Sequence, residues 1–156
     1  MLCFTLVPLK GAAPILFGMP RSQVHQLLGK PGVESKESDS WGPALELNVG
    51  YASDGTVNHI GLSPGAFELR FRDELVWVPN SRQDPNPLFL RYEVNPMERL
   101  GFLVFPTIGI TTTGFHDDDP SQLAITAFPH GAWDESLLKA KRPCLSKYAE
   151  TSKLTS

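Results

Sequence analysis

A chain of 156 residues, 41% hydrophobic and 20% charged, is long enough to close one apolar core without metal or disulfide support and too apolar to stay unfolded. No apolar run approaches the roughly 18 residues of a membrane-crossing helix, and Cys3 and Cys144, with no second cysteine or histidine at ligand spacing, read as free thiols of a reducing compartment. The net charge of −3 divides into −7 over residues 1–138 and +4 from Lys139 onward, and so acidic a body argues against nucleic acid as its partner, because phosphate binding needs a basic patch.

The opening MLCFTLVPLKGAAPILFGM has the apolar run and small residues of a signal peptide, but Lys10 follows the run and Pro8, Gly11 and Pro14 interrupt it, so a cytoplasmic protein is expected. GMPRSQVHQLLGKPG then predicts a short helix over 20–29. Pro20 suits its first turn, Val24, Leu27 and Leu28 share one side, and Gly29 and Pro31 end it. Val33 to Trp41 is polar and reads as a loop, with Trp41 open to two readings, a lid on the core or an anchor for a partner. Leu45, Leu47, Val49 and Tyr51 alternate with polar or small residues, Ser53-Asp54-Gly55 supplies a turn, and Val57 to Leu62 returns as the second strand of a hairpin. Phe67, Leu69 and Phe71 mark a third strand, and Leu75–Val78 a fourth after the Asp73-Glu74 turn.

Residues 79–96 hold four prolines and read as a long connection tacked down by Phe89, Leu90 and Tyr92. The runs Phe102–Phe115 and Leu123–Phe128 form a last hairpin, whose tip carries His116, Asp117, Asp118, Asp119 and Pro120 into water. One or two helical turns follow at Trp133–Leu138, stopped by Pro143. The fold class expected is α+β: an antiparallel sheet of about five to seven strands with one or two short helices packed on a face. Residues 1–142 make a single domain, and 143–156, with few apolar anchors, a mobile basic tail.

Chemistry-bearing residues are sparse. His116 beside the aspartates, with His130 across the hairpin, has the donor types of a zinc, manganese or iron site. Adjacent carboxylates on a loop do not converge, however, and strand residues alternate faces, so no metal and no cofactor is expected. Asp134 and Glu135 are neighbours that point apart, and no GxSxG, Walker loop or Cys–His arrangement is present. No catalytic residue is expected. The pattern fits binding better: acidic tips steer a protein onto a basic partner and aromatics beside them anchor it. On that reading His116, Asp117, Asp118, Asp119, Trp133, Asp134, Glu135 and Trp41 contact the partner.

GMPRSQVHQLLGKPG, YASDGTVNHIGL and GFLVFPTIGITTTGFHDDDPSQLAITAFPHGAWDE together resemble a group of small cytosolic bacterial proteins, some of them similar to immunity proteins of contact-delivered toxins of the polymorphic or type VI kind. The resemblance implies a protein that binds and neutralises a toxin made by the same cell, one with a basic cleft, without catalysis. The first phrase also resembles the helix opening of BamE-like envelope assembly lipoproteins, although Pro20 stands where those carry a Ser or Thr cap and Cys3 has no lipobox around it. An envelope module would need export and a lipid anchor, and a third alternative, a small metal-dependent hydrolase, would need a bound ion.

Overall fold

The apolar N-terminal run forms a strand inside a sheet, where Phe4 and Leu6 point into the core and alternate with Cys3 and Thr5. The computed structural model describes residues 2–42 and 45–149. In chain order, β1 (Leu2–Val7), β2 (Gly11–Ala13) and β3 (Ile15–Leu16) precede helix α1 (Arg21–Leu28). Pro20 occupies the helix N-cap and Gly29 ends it at φ +82°. The face of α1 turned inward is Arg21, Val24, His25 and Leu28, spaced three and four apart. Leu27, expected on the covered side, falls off that face and is exposed.

Residues 33–41 depart from the expected loop and form β4 (Val33–Glu34) and β5 (Ser38–Trp41), with Asp39 and Trp41 buried and Ser38 and Ser40 half-buried. β6 (Leu47–Tyr51) and β7 (Val57–Leu62) make the expected hairpin, and β8 (Phe67–Phe71) and β9 (Glu74–Trp77) make another. The proline-rich connection holds a helix, α2 (Asn86–Tyr92). Pro85 caps it and Pro87 lies in its first turn, where a missing donor breaks no hydrogen bond. β10 (Met97–Arg99), β11 (Phe102–Phe105) and β12 (Ile110–Thr113) follow as a meander, so Phe102–Phe115 is two strands and not one. Gly109, at φ +70°, turns the chain between them, and a Cβ there would lie 2.8 Å from the Phe128 carbonyl oxygen. β13 (Ala124–Ala127) and the single-turn α3 (Asp134–Leu137) complete the strands and α-helices, with 3-10 turns at Pro120–Gln122 and Ser146–Tyr148.

The class is α+β, but the strands divide into two sheets where one was expected: five in the order β3-β2-β1-β8-β9 and eight in the order β10-β11-β12-β13-β7-β6-β5-β4. The β1–β8 pairing is parallel and the other strand pairs are antiparallel. Inward side chains of both sheets form one hydrophobic cluster. Phe89 of α2 joins them, its ring centroid 5.5 Å from Phe71 of β8 and 5.7 Å from Phe105 of β11. No helix among the described residues is long and apolar enough to cross a membrane.

After α3 the chain reaches the edge strand β10, where the backbones of Lys141 and Glu98 exchange hydrogen bonds of 2.8 and 2.9 Å. It then returns to the core at Tyr148, which is 4% exposed. A mobile tail from 143 is therefore not what residues 143–149 form; Glu150, Lys153 and Leu154 lie outside the described residues. The anchor is polar. The Tyr148 hydroxyl donates to Asp84 Oδ2 at 2.6 Å and accepts from Asn86 Nδ2 at 3.0 Å, while Asn86 Oδ1 accepts from Thr112 Oγ1 at 2.7 Å. Burial and the Asp84 carboxylate push the Tyr148 hydroxyl above its usual pKa.

Candidate functional site

The hairpin tip begins where β12 and β13 part, at the Thr113–Ala124 pair. Gly114 takes φ +84°, and a Cβ there would meet the Asp119 carbonyl oxygen at 2.6 Å, so the loop closes tightly only around glycine. The Asp119 amide donates to Gly114 O at 2.8 Å. Its carboxylate caps the short turn Pro120–Gln122, accepting from Ser121 N at 3.1 Å and Ser121 Oγ at 2.6 Å. Lys147 fastens the other side of the loop, donating to Phe115 O at 2.6 Å and to Asp118 Oδ1 at 2.9 Å. The aspartates thus have different fates: Asp119 is used as a cap, Asp118 faces Lys147, and Asp117 is exposed.

His116 is not part of the solvated tip. Its side chain is 5% exposed and turned inward, with Nε2 3.4 Å from Glu98 Oε2. Glu98 Oε1 lies 3.3 Å from Lys141 Nζ, and His116 Nδ1 is buried without a partner among the described residues. Trp41 is likewise no anchor. It is buried, its Nε1 donates to Gly29 O at 3.3 Å, and its ring meets His25 edge-on at 6.2 Å, as a lid on the core would.

Trp133, Asp134 and Glu135 come together at the start of α3. Trp133 is half-buried against Phe102 and Phe128, with ring centroids 5.2 and 6.2 Å away, while both carboxylates are exposed. Beside them is a groove of about 340 Å³ lined by Thr107, Phe128, His130, Trp133 and Asp134 among others. Thr107 is held from behind by Glu93, whose carboxylate accepts from Thr107 N at 3.0 Å and Thr107 Oγ1 at 3.1 Å. Burial raises the Glu93 pKa, and these hydrogen bonds only partly oppose it.

A further cluster, illegible in the polar stretch around it, is built on Asp39. The alternation of β5 turns Asp39 inward to meet Arg21 and His25, which are four apart on α1. Arg21 grips both carboxylate oxygens and also donates to the carbonyls of Ser35, Lys36 and Ser38. His25 Nε2 and the Tyr51 hydroxyl each lie 2.7 Å from Asp39 Oδ2. Burial opposes the ionised form of Asp39, but the hydrogen bonds from Arg21, Tyr51 and His25 outweigh it and hold its pKa below the usual carboxylate value. Burial, and then the bond to Asp39, push Tyr51 upward. His25, Glu34 and Asp39 offer ligand atoms within 4.8 Å of one another. The guanidinium of Arg21 already supplies the cation there, and Asp39 Oδ2 is occupied by three donors.

Apart from His116 and Trp41, the residues singled out by sequence gather on two surfaces: the Asp117–Asp119 loop and the Trp133–Glu135 corner. They leave the β12–β13 hairpin at opposite ends. Comparison of the chain with protein-family models, with curated proteins and with solved structures found no match in any of the three.

Proposed function

We propose that this protein acts by binding a basic protein partner without covalent chemistry, as an immunity protein binds and neutralises the toxin of its own cell. One observation carries the reading: Asp117 is exposed on a loop fixed by backbone, cap and lysine contacts on both sides. A loop already ordered loses little conformational entropy on docking, so the attraction of its charge goes into association. The inward-facing carboxylates support the same reading, because the buried Asp39 and the half-buried Asp84 and Glu98 are each engaged by side chains of the protein itself.

The test is co-expression with a toxin-like domain encoded beside this chain, scored by survival and by binding kinetics at two salt concentrations. Asp117→Lys is the informative variant, since Asp119→Lys would also remove a cap. Association should slow about tenfold and lose part of its salt dependence, with dissociation little changed. Unchanged rates in the folded variant would remove the tip from the interface.

A further inference from the structure

The groove beside α3 has the chemistry of a cation receptor. Its aromatic lining is Phe128, Trp133 and the His130 imidazole, its apolar lining includes Pro106 and Leu9, and among the described residues Asp134 is its one carboxylate and no lysine or arginine lines it. None of the ion pairs among the described residues uses Asp134. The neighbouring Thr107 hydroxyl is already committed to Glu93. At about 340 Å³ the space lies near the lower end of ligand-binding cavities, enough for one long side chain and small for a folded ligand.

An aromatic ring beside an unpaired carboxylate favours a guanidinium over an ammonium. The planar group stacks on the ring and forks onto the carboxylate, whereas an ammonium is a compact, strongly hydrated point charge. Arginine is also enriched among the residues that dominate protein interfaces. We infer that this groove receives an arginine side chain presented by the protein partner, its guanidinium lying on Trp133 and paired with Asp134. The inference rests on the binding reading above and places a second contact away from the tip. Steering by Asp117 and seating at Trp133 are then separate events, the first acting on association and the second on dissociation.

The probe is N-acetyl-arginine amide, titrated into the whole protein while the indole N–H signals are followed by NMR. Trp41 and Trp77 are buried, at 6% and 1% exposure, and serve as internal controls. The Trp133 signal should shift saturably while theirs stay still. N-acetyl-citrulline amide, of the same shape without the charge, should bind about tenfold more weakly or worse, and Asp134→Asn should weaken the arginine probe by a similar factor. Asp134 is exposed, so that variant keeps its fold. An equal response to the citrulline probe, or an unaltered response in Asp134→Asn, would overturn the inference. Free L-arginine binding tenfold tighter than the capped probe would overturn the protein partner in favour of a small-molecule site. Because the titration contains no partner protein, a silent groove leaves the tip reading intact. A responsive groove with unchanged Asp117→Lys kinetics would instead refute the tip alone.

Discussion

Replacing Asp39 by Asn tests the ionic cluster that joins α1 to β5. The side chain is fully buried, and it accepts from Arg21, His25 and Tyr51. Removing one member of a buried ion pair costs about 3–5 kcal/mol when the other charge is stranded. Arg21 is not wholly stranded: its side chain is 27% exposed and keeps the carbonyls of Ser35, Lys36 and Ser38. Tyr51, at 5% exposure, has no such recourse and must bond to a weaker acceptor. A loss of about 3 kcal/mol at neutral pH follows, at the lower end of that range. The sign with pH is fixed by the depressed pKa of Asp39. Its stabilisation is complete above the unfolded carboxylate value of roughly 4 and is lost as pH falls through the lower folded value, where the unfolded chain binds more protons. Urea unfolding of parent and Asp39→Asn from pH 7 to pH 2.5 should therefore give curves that differ most at neutral pH and converge in acid. A difference below about 1 kcal/mol, or one independent of pH, would refute the account of this cluster as a net stabilising ionised network.

Ile110→Ala and Ile125→Ala remove side chains that are 1% and 0% exposed on adjacent strands, and each should cost about 2–5 kcal/mol in urea unfolding; unfolding like the parent would mean that the hairpin register is wrong. Tyr148→Phe deprives Asp84 of a donor and Asn86 of an acceptor and should cost about 1–3 kcal/mol, also read from urea unfolding. Ending the chain at Arg142 should cost at least as much as Tyr148→Phe, because it also removes the Lys147 bonds to the tip; thermal unfolding unchanged by the truncation would show that residues 143–149 are not held as described.

What could be read from the sequence was what two-residue or helical periodicity announces over a short span. The β6–β7 hairpin shows itself through Leu47, Val49 and Tyr51 facing Val57, Ile60 and Leu62 across a Ser-Asp-Gly turn. Helix α1 is marked by proline at its start and glycine at its end. β5 was hidden because one of its two inward residues, Asp39, is charged, which leaves Trp41 as the strand's lone apolar signal, and periodicity counts only apolar side chains as buried. Helix α2 was hidden by Pro85 and Pro87, which break a helix in its interior but fit its first turn. The division into two sheets depends on Leu2 pairing with Phe67 in parallel, a contact far apart in sequence with no local signature. Of the residues expected to contact a partner, Asp117, Asp134 and Glu135 are exposed, as polar residues in turns suggest, and Trp133 is half-buried. His116 and Trp41 were misplaced because burial by neighbours distant in sequence decides their exposure.

The charge division of the sequence also changes meaning in three dimensions. An acidic body and a basic C-terminal segment suggest two separate fields, yet the segment folds back and meets acids of the body: Lys141 lies 3.3 Å from Glu98 and Lys147 2.9 Å from Asp118. An ion pair at that distance is nearly a dipole beyond a few ångströms, and at physiological salt its residual field is screened within about 8 Å. Asp118 therefore contributes little to long-range attraction although 86% of its side chain is exposed. Asp117, in no ion pair among the described residues, is not offset in this way. The lysine that cancels one charge is the same residue that ties down Phe115 and holds the loop in shape, so the tip exchanges electrostatic range for order. On the proposed binding reading, a partner steered to the tip would meet the Asp117 carboxylate on a fixed backbone, which favours a defined docking geometry over diffuse attraction to an acidic cluster.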